Sequence, residues 1–323
     1  MMNKKISEFK EGESLTLPLL LVQVTKGVTS NGSPYLSLTL QDKSGTIEGK
    51  IWDVKEEQAA ACVPGRVGEV SCEVLRYRNS LQLRVHRLTP MDQQSIELSD
   101  YVIASDIPKE LLQQKIQDAI SSLSNPIYKG IVSALFAEYD KPFFDYPAAA
   151  KNHHNFVGGL AVHVTGMVDL ANEIVKLYPL LDRDLLVSGV LVHDLGKLTE
   201  LSGPVMTEYT LEGKLIGHIS IMQAKIMEVA VQLGYEKSEE AILLRHMVLS
   251  HHGQLEFGSP VMPMVAEAEV LHLIDNLDAR MNTLDKAYAQ TEPGSFTSRL
   301  FPMENRAFYK PKSKKNEKQD EVD

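Results

Sequence analysis

The histidines of this sequence are concentrated where they could do chemistry, since nine of ten lie after residue 150. The strongest pattern is the run Val192-His193-Asp194-Leu195-Gly196-Lys197, which follows an apolar segment at 185–192. A helix that apolar is buried, and a buried imidazole beside a carboxylate is costly unless both have partners. A divalent metal ion is one such partner, because it offsets the carboxylate charge and accepts a nitrogen lone pair. A hydrogen-bonded core pair is the alternative.

Two further residues are predicted to face the same interior. His163 shares a helical face with Leu160 and Met167, and Asp275 shares one with Leu271 and Ala279. One imidazole pair with two carboxylates suits a divalent metal that keeps open positions for water and substrate. Three core helices would then contribute the ligand set, which is His163, His193, Asp194 and Asp275.

The order of these residues, H…HD…D, resembles that of the HD-domain metal-dependent phosphohydrolases, an all-helical superfamily, over about residues 150–285. Subgroups with two metals add two histidines. One lies earlier in the chain, and the other belongs to a pair such as His251-His252-Gly253. The resemblance implies that Asp194 bridges the two ions. The implied ligands are His163, His193 and Asp275 for one ion, and His218 and His251 for the other. His252 could replace His251, because the sequence does not say which of two adjacent imidazoles turns inward.

Two basic residues are candidates for contact with a substrate phosphate. Lys197 follows Asp194 by three residues and so falls on the same helical face. The family resemblance favours a phosphate contact, whereas the alternative is a lysine favoured by the helix dipole. Arg280, one turn beyond Asp275, is the second candidate, with an ordinary surface arginine as its alternative.

The first 90 residues predict a different fold. Turn signals at Asn31-Gly32 and at 42–45 separate segments in which apolar and polar residues alternate. The predicted strands lie at 15–24, 35–41, 46–52, 68–75 and 81–88, with a short helix after the third. This is the element order of an oligonucleotide-binding (OB) barrel. Residues 31–53 resemble the nucleic-acid-binding OB family of tRNA synthetases and replication proteins.

The predicted barrel carries aromatic and basic residues of the kind that bind single strands. Aromatic rings stack on bases, and basic side chains follow the phosphate backbone. The candidates are Tyr35, Trp52, Tyr77, Lys50, Arg76 and Arg78. Packing within the barrel or on its surface is the alternative for each aromatic residue. Trp52 follows Ile51 in an alternating strand, so one of the two faces the interior, and the sequence leaves open which.

Charge and composition support two units and exclude several protein classes. Residues 1–90 carry 12 Lys+Arg and 10 Asp+Glu, a net charge of +2. The remaining residues carry a net charge of −12, which gives −10 for the whole chain. A hydrophobic fraction of 43 % excludes disorder over most of the chain. No apolar run approaches the roughly 18 residues of a membrane span, and no signal-peptide core is present. Two cysteines, Cys62 and Cys72, exclude a disulfide scaffold. We therefore expect a cytoplasmic protein without a membrane partner.

The sequence predicts a multidomain α and β protein, an N-terminal OB-type β-barrel followed by an all-α HD domain. The expected boundaries are 1–90 for the barrel, 91–149 for a helical connector, 150–302 for the HD domain and 303–323 for a disordered charged tail. This combination resembles the YhaM family of 3′→5′ exoribonucleases from Gram-positive bacteria over nearly the whole chain.

That resemblance implies stepwise release of 5′-mononucleotides from single-stranded RNA, with manganese as the usual metal and Co²⁺, Mg²⁺ or Fe²⁺ as alternatives. Single-stranded DNA as a second substrate and a homo-oligomeric assembly stay open. One rival function is hydrolysis of small or cyclic nucleotides, although the Gly-Tyr-Pro motif of cyclic dinucleotide phosphodiesterases is missing. Another is a non-enzymatic DNA-binding replication factor with a structural metal.

Overall fold

Two compact units divide the protein, which a computed structural model describes at residues 4–77, 80–96, 100–105, 107–148, 156–203 and 207–312. The first unit comprises the described residues of Met1–Asp106, Phe156–Gly158 and Leu201–Glu208. The second comprises the described residues of Ile107–Asn155, Gly159–Glu200 and Tyr209–Asp323.

The first unit is a closed five-stranded barrel. Its strands are β1 (Ser14–Val28), β2 (Pro34–Asp42), β3 (Gly45–Trp52), β4 (Val67–Tyr77) and β5 (Ser80–Pro90), with helix α1 (Glu56–Ala61) between β3 and β4. The order around the barrel is β1-β2-β3-β5-β4, and β1 pairs with β4 to close it. Only the β3–β5 pairing of these strands is parallel. The predicted OB-type barrel is confirmed.

Strand β1 is long enough to form two sides of the barrel. Residues Ser14–Leu20 pair with β4, and Leu20–Val28 pair with β2. The register shifts between Leu21 and Gln23, and a bulge at such a point bends the strand from one neighbour to the other. Alternate side chains of the next strand fill the interior, and these are Leu36, Leu38 and Leu40.

The second unit is built from helices. Among its described residues these are α2 (Lys109–Ser121), α3 (Pro126–Phe143), α4 (Gly159–Leu177), α5 (Arg183–Val192), α6 (Lys197–Glu200), α7 (Leu211–Leu215), α8 (His218–Leu233), α9 (Glu239–Ser250) and α10 (Ala266–Ala289). One hydrophobic core joins the long helices. The predicted all-α region is confirmed. In the described part of the chain, no helix has both the length and the apolar character needed to cross a membrane.

Helix ends carry several of the predicted ligands. His193 and Asp194 follow directly on the last turn of α5. His218 is the first residue of α8 and comes after Gly217, whose φ of 77° turns the chain into the helix. His251 follows directly on α9. The positions of these side chains therefore depend on where each helix begins or ends.

The compact units differ in extent from the predicted domains. Helices α2 and α3, which belong to the predicted connector at 91–149, share the hydrophobic core of α4, α5 and α8–α10. Disorder is predicted from residue 303, whereas residues 303–312 are described and Arg306 forms a bridge with Leu300. Residues 313–323 of that predicted tail lie outside the described residues. The domain boundaries of the sequence analysis stay predictions.

Candidate functional site

One group of candidate ligands joins α4, the end of α5 and α10. His163, His193 and Asp275 place one ligand atom each within 4.8 Å of one another. His163 Nε2 lies 3.3 Å from Asp275 Oδ1. Both imidazoles are fully buried, and the carboxylate side chain is 18 % exposed. We call these three residues the first ligand group.

A second group lies where α8 begins and α9 ends. His218, His251 and His252 also place ligand atoms within 4.8 Å of one another. The ring centroid of His251 lies 5.6 Å from that of His218 and 4.3 Å from that of His252. His251 is fully buried and His252 is half-buried. The structure thus brings both members of the adjacent pair to His218, and we call the three histidines the second ligand group.

Asp194 lies between the two ligand groups. Its Oδ2 is 3.4 Å from His193 Nε2 and 3.8 Å from His163 Nε2. Its Oδ1 is 3.6 Å from His218 Nε2 and 3.8 Å from His251 Nε2. One carboxylate therefore presents one oxygen to each group, which is the arrangement that a bridging ligand requires.

The hydrogen bonds behind the imidazoles determine which nitrogen faces the site. His193 Nδ1 lies 2.8 Å from the carbonyl oxygen of Val190, and His251 Nδ1 lies 2.7 Å from that of Val248. A carbonyl oxygen can only accept, so Nδ1 carries the hydrogen and Nε2 presents a lone pair. The other two Nδ1 atoms face carboxylate oxygens, Glu200 Oε1 at 3.0 Å from His218 and Asp278 Oδ2 at 2.7 Å from His163.

Buried acceptor atoms converge at the centre of the two groups. Within the described residues, Nε2 of His193, His218 and His251 and Oδ1 of Asp194 are buried without a hydrogen-bond partner. Each such atom costs about 1–3 kcal/mol when it is left unsatisfied. Cations held by the two groups would satisfy all of them, because every one offers a lone pair. The residues present therefore fit a divalent metal.

The pKa values at the site match the needs of metal ligands. Burial raises the pKa of the Asp194 carboxyl, but Lys197, His193 and His218 together lower it by more, so it lies well below its usual range. Burial likewise raises the pKa of Asp275, but the hydrogen bond and charge of His163 together with the charge of His193 lower it by more. Burial holds the pKa of His251 well below its usual range. At pH 7 both carboxylates are therefore charged and His251 is neutral.

His163 differs from His251 in its protonation. Burial lowers its pKa, but hydrogen bonds with Asp275 and Asp278 and the charges of Asp275 and Asp194 together raise it by more, to about 9. Without a cation, this imidazole binds a proton at pH 7. A metal ion bound by the first ligand group would therefore displace that proton.

Two glycines allow the backbone to approach the histidines closely. A Cβ atom at Gly196 would lie 2.3 Å from the carbonyl oxygen of His218. At Gly253, where φ is 78°, a Cβ atom would lie 2.4 Å from the ring of His272. His272 Nδ1 in turn lies 3.2 Å from the carbonyl oxygen of His251. Only glycine fits these positions without displacing His218 or His272.

The two predicted phosphate contacts differ in position. Lys197 Nζ lies 2.6 Å from Asp194 Oδ2. Burial lowers the pKa of Lys197, but Asp194 raises it by more, so the side chain stays charged at the site. Arg280 instead donates to both carboxylate oxygens of Glu304, at 2.8 and 3.2 Å. The phosphate roles of both residues stay predictions.

An aromatic platform lies on β2 and β3 of the barrel, and we define it as Tyr35, Lys50 and Trp52. Tyr35 and Trp52 face each other across the strands, with ring centroids 5.2 Å apart. Lys50 Nζ lies 4.8 Å and 5.3 Å from those two rings. Ile51 is buried and Trp52 is 46 % exposed, so Trp52 faces outward. The ring of Tyr35 covers Gly27 of β1, where a Cβ atom would lie 2.4 Å away.

The remaining barrel candidates lie near the end of β4. Tyr77 is 58 % exposed. Arg76 Nε donates to a carboxylate oxygen of Glu11 at 3.0 Å, and both side chains are exposed. Arg78 lies outside the described residues. Their contacts with nucleic acid stay predictions.

Known proteins match both units. The HD domain family matches residues 160–280, and a family described as an OB-fold nucleic acid binding domain matches residues 21–91. The 3′-5′ exoribonuclease YhaM of Geobacillus sp. (strain WCH70) is 48 % identical over 311 residues, which cover 96 % of this chain and 96 % of that protein. The chain belongs to the YhaM family. This match confirms the predicted family. The chain is a hydrolase, and its barrel belongs to the OB-fold family of nucleic-acid-binding domains.

A solved structure resembles the barrel more distantly. The second OB-fold domain of replication protein A from Methanococcus maripaludis is 27 % identical and covers 30 % of this chain and 100 % of that one. The TM-score is 0.23, which is too low to support a conclusion about structure or function. The YhaM-family match, in contrast, spans both units.

Sequence reasoning missed three residues of this YhaM-family site, which are Glu200, Gly196 and Asp278. Asp278 lies three residues after Asp275, and Glu200 lies three residues after Lys197. That spacing places each of them on the same helix face as a residue that was predicted. The helical period was therefore the available signal for both carboxylates. Gly196 was noted only as part of the run at 192–197.

Proposed function

We propose that this chain is a metal-dependent 3′→5′ exoribonuclease that hydrolyses single-stranded RNA to 5′-mononucleotides at a dinuclear site. The observation that carries the proposal is the position of Asp194, whose two oxygens face two separate ligand groups. The name of the Geobacillus relative supports the RNA substrate and the polarity. Single-stranded DNA is a proposed second substrate, because stacking on aromatic rings does not require the 2′-hydroxyl.

Each ligand group would hold one ion, with Asp194 as the bridge. The proposed ligands are His163, His193 and Asp275 for the first ion, and His218, His251 and His252 for the second. Manganese follows from the family resemblance, with Co²⁺, Fe²⁺ and Mg²⁺ as alternatives. The many imidazoles favour Co²⁺ or Fe²⁺ over Mg²⁺, which prefers oxygen ligands.

The charges of the residues suit an anionic substrate. Bound divalent ions would lower the pKa of a water molecule and offset charge on the phosphate oxygens. Asp194 and Asp275 contribute only two negative charges, and the histidines bind metals as neutral ligands. Lys197 adds a positive charge beside Asp194. The loaded site would therefore keep an excess of positive charge, which attracts a phosphodiester.

We further propose that the barrel binds the strand and the helical unit cuts it. Residues 1–90 carry a net charge of +2, whereas the rest carries −12. The acidic part repels a polyanion except at its ions, so affinity for long RNA should come from the barrel. The aromatic platform offers two rings and an ammonium group for that contact.

The activity itself gives the first prediction. With Mn²⁺, the purified chain should shorten a 5′-labelled single-stranded RNA in one-nucleotide steps and release 5′-mononucleotides. A chelator should stop the reaction, and added Mn²⁺ should restore it. Single-stranded DNA and a cyclic dinucleotide are assayed in parallel. Hydrolysis of the cyclic dinucleotide alone, or shortening from the 5′ end, would contradict the proposed function.

The aromatic platform gives the second prediction. Trp52→Ala and Tyr35→Ala should each weaken binding of long single-stranded RNA by about fivefold or more, because stacking is worth about 1–3 kcal/mol per base. Fluorescence anisotropy with chelator present measures binding without cleavage. Tyr178→Ala is the control, since Tyr178 is 54 % exposed but lies in the helical unit. Unchanged affinity in both platform variants would remove the barrel face from substrate binding.

The cytoplasmic location, a homo-oligomeric assembly and the domain boundaries stay predictions of the sequence analysis. A role in assembly or regulation is the alternative for the barrel. Removing residues 1–90 distinguishes the two roles, because a substrate-binding barrel should be needed for long RNA but not for a very short oligonucleotide.

A further inference from the structure

Two carboxylates, the buried Glu200 and the half-buried Asp278, contact the candidate ligands from behind. Asp278 Oδ2 lies 2.7 Å from His163 Nδ1, and Glu200 Oε1 lies 3.0 Å from His218 Nδ1. We propose that Asp278 and Glu200 are positioning residues, one for each ligand group. Each holds its histidine in the tautomer and ring orientation that direct Nε2 at the metal. The inference rests on the proposed two-metal site and adds the side chains that orient its ligands.

The imidazole of His163 lies between two carboxylates of α10. Asp275 Oδ1 is 3.3 Å from Nε2 on one edge of the ring, and Asp278 Oδ2 is 2.7 Å from Nδ1 on the other. Since the two aspartates are three residues apart, they project from the same helix face. An ionised Asp278 carboxylate can accept a hydrogen bond but cannot donate one. Nδ1 of the ring therefore donates to it, and Nε2 is directed at Asp275. A rotated ring would lose the contact with Asp278.

Glu200 holds His218 at two points. Its Oε1 accepts from the backbone N–H of His218 at 3.1 Å and lies 3.0 Å from the ring Nδ1. The backbone bond satisfies an N–H group at the start of α8, where no helical partner exists. Glu200 is itself held closely, because a Cβ atom at Gly213 would lie 2.2 Å from its carbonyl oxygen. The same carboxylate thus fixes both where the helix begins and how its first side chain points.

The imidazoles of His193 and His251 are oriented by backbone groups instead. Nδ1 of His193 and of His251 each face the backbone carbonyl three residues earlier, from Val190 and Val248. Such a bond is local to the helix end and needs no distant side chain. Each ligand group therefore contains one histidine oriented by its own helix and one oriented by a carboxylate from another element. An anionic acceptor also makes the imidazole a stronger metal ligand than a carbonyl does.

A purely structural role for the carboxylates makes a different prediction. In that case, their removal would lower thermal stability and weaken both ions alike. Positioning residues instead act on one ion each. Glu267 offers the matched control, since it is a buried carboxylate of the same unit that accepts from the backbone N–H of Asp182 at 2.7 Å and contacts neither ligand group.

Mn²⁺ binding to the full-length chain, measured by calorimetry and metal analysis, tests the proposal. The His218→Ala variant should retain the first ion, and adding Asp278→Ala should weaken its binding by about ten- to a hundredfold. Adding Glu200→Ala to the same variant should leave that affinity unchanged. In the His163→Ala variant the effects should be exchanged, with Glu200→Ala weakening the retained second ion and Asp278→Ala having no effect.

Conservative variants separate orientation from folding. Asp278→Asn and Glu200→Gln keep an acceptor oxygen and the side-chain volume, so affinity should recover to between the alanine variants and the wild type. Glu267→Gln should bind Mn²⁺ like the wild type. The proposal would be overturned if Asp278→Ala or Glu200→Ala weakened the binding of both ions equally. It would also be overturned if neither alanine substitution changed the Mn²⁺ affinity in either histidine variant. If the wild-type chain binds only one ion, the two-metal site fails instead, which is a separate result.

Discussion

Asp194→Asn should lower turnover of single-stranded RNA by at least about a thousandfold. The carboxylate offers one oxygen to each ligand group, and an amide offers only one neutral oxygen in its place. Metal ions contribute several kcal/mol of transition-state stabilisation, and about 4 kcal/mol corresponds to a thousandfold in rate. Single-turnover cleavage of a labelled RNA with excess enzyme and saturating Mn²⁺ measures the loss.

Binding of RNA should be retained in that variant, because the proposed strand contacts are in the barrel. Glu173→Gln is a suitable control, since this side chain of the same unit is 71 % exposed and pairs with Lys176 on its own helix. It should cleave RNA at the wild-type rate. Turnover of Asp194→Asn within tenfold of wild type would exclude a catalytic bridge at this position.

Gly196→Ala should cost about a hundredfold in turnover although residue 196 offers no ligand atom. The added Cβ would lie 2.3 Å from the carbonyl oxygen of His218, which is backbone and can move only together with the start of α8. A displacement of about 1 Å at a reacting site is enough for a hundredfold loss. Metal analysis should show that the second ion is lost before the first.

The matched control for that substitution is Gly130→Ala on α3. Its Cβ would contact only side-chain atoms of Tyr235 and Leu233, at 3.3 and 3.7 Å. Alanine in a helix interior is favoured over glycine by roughly 0.5–1 kcal/mol, so the control should fold at least as well as the wild type. Normal metal content and turnover in Gly196→Ala would show that the close approach to His218 does not hold the second ligand group.

The local patterns were sufficient to predict both folds. Alternation along 35–41 predicted a strand that the structure extends by one residue at each end, to Pro34–Asp42. The helical period around His163 correctly predicted its burial. These features depend on neighbours in the sequence, which is why a single sequence was enough.

Features that depend on distant contacts could not be predicted in this way. Whether Trp52 or Ile51 faces outward depends on the register of the whole barrel, and the structure places Trp52 outside. The contact between Gly196 and His218 joins the turn before α6 to the first residue of α8. Arg280 was a candidate for phosphate contact from its spacing, but Glu304, 24 residues away, holds its guanidinium. Such pairings follow from tertiary packing and leave no local pattern.

The number of metal ions bound per chain tests the two-ion site most directly. Metal analysis after equilibrium dialysis against Mn²⁺ should give two ions for the wild-type chain. His163→Ala should lose mainly the ion of the first ligand group, and His218→Ala mainly that of the second, so each should give about one. A single ion in the wild type, or a count of two that falls in neither variant, would contradict a site bridged by Asp194.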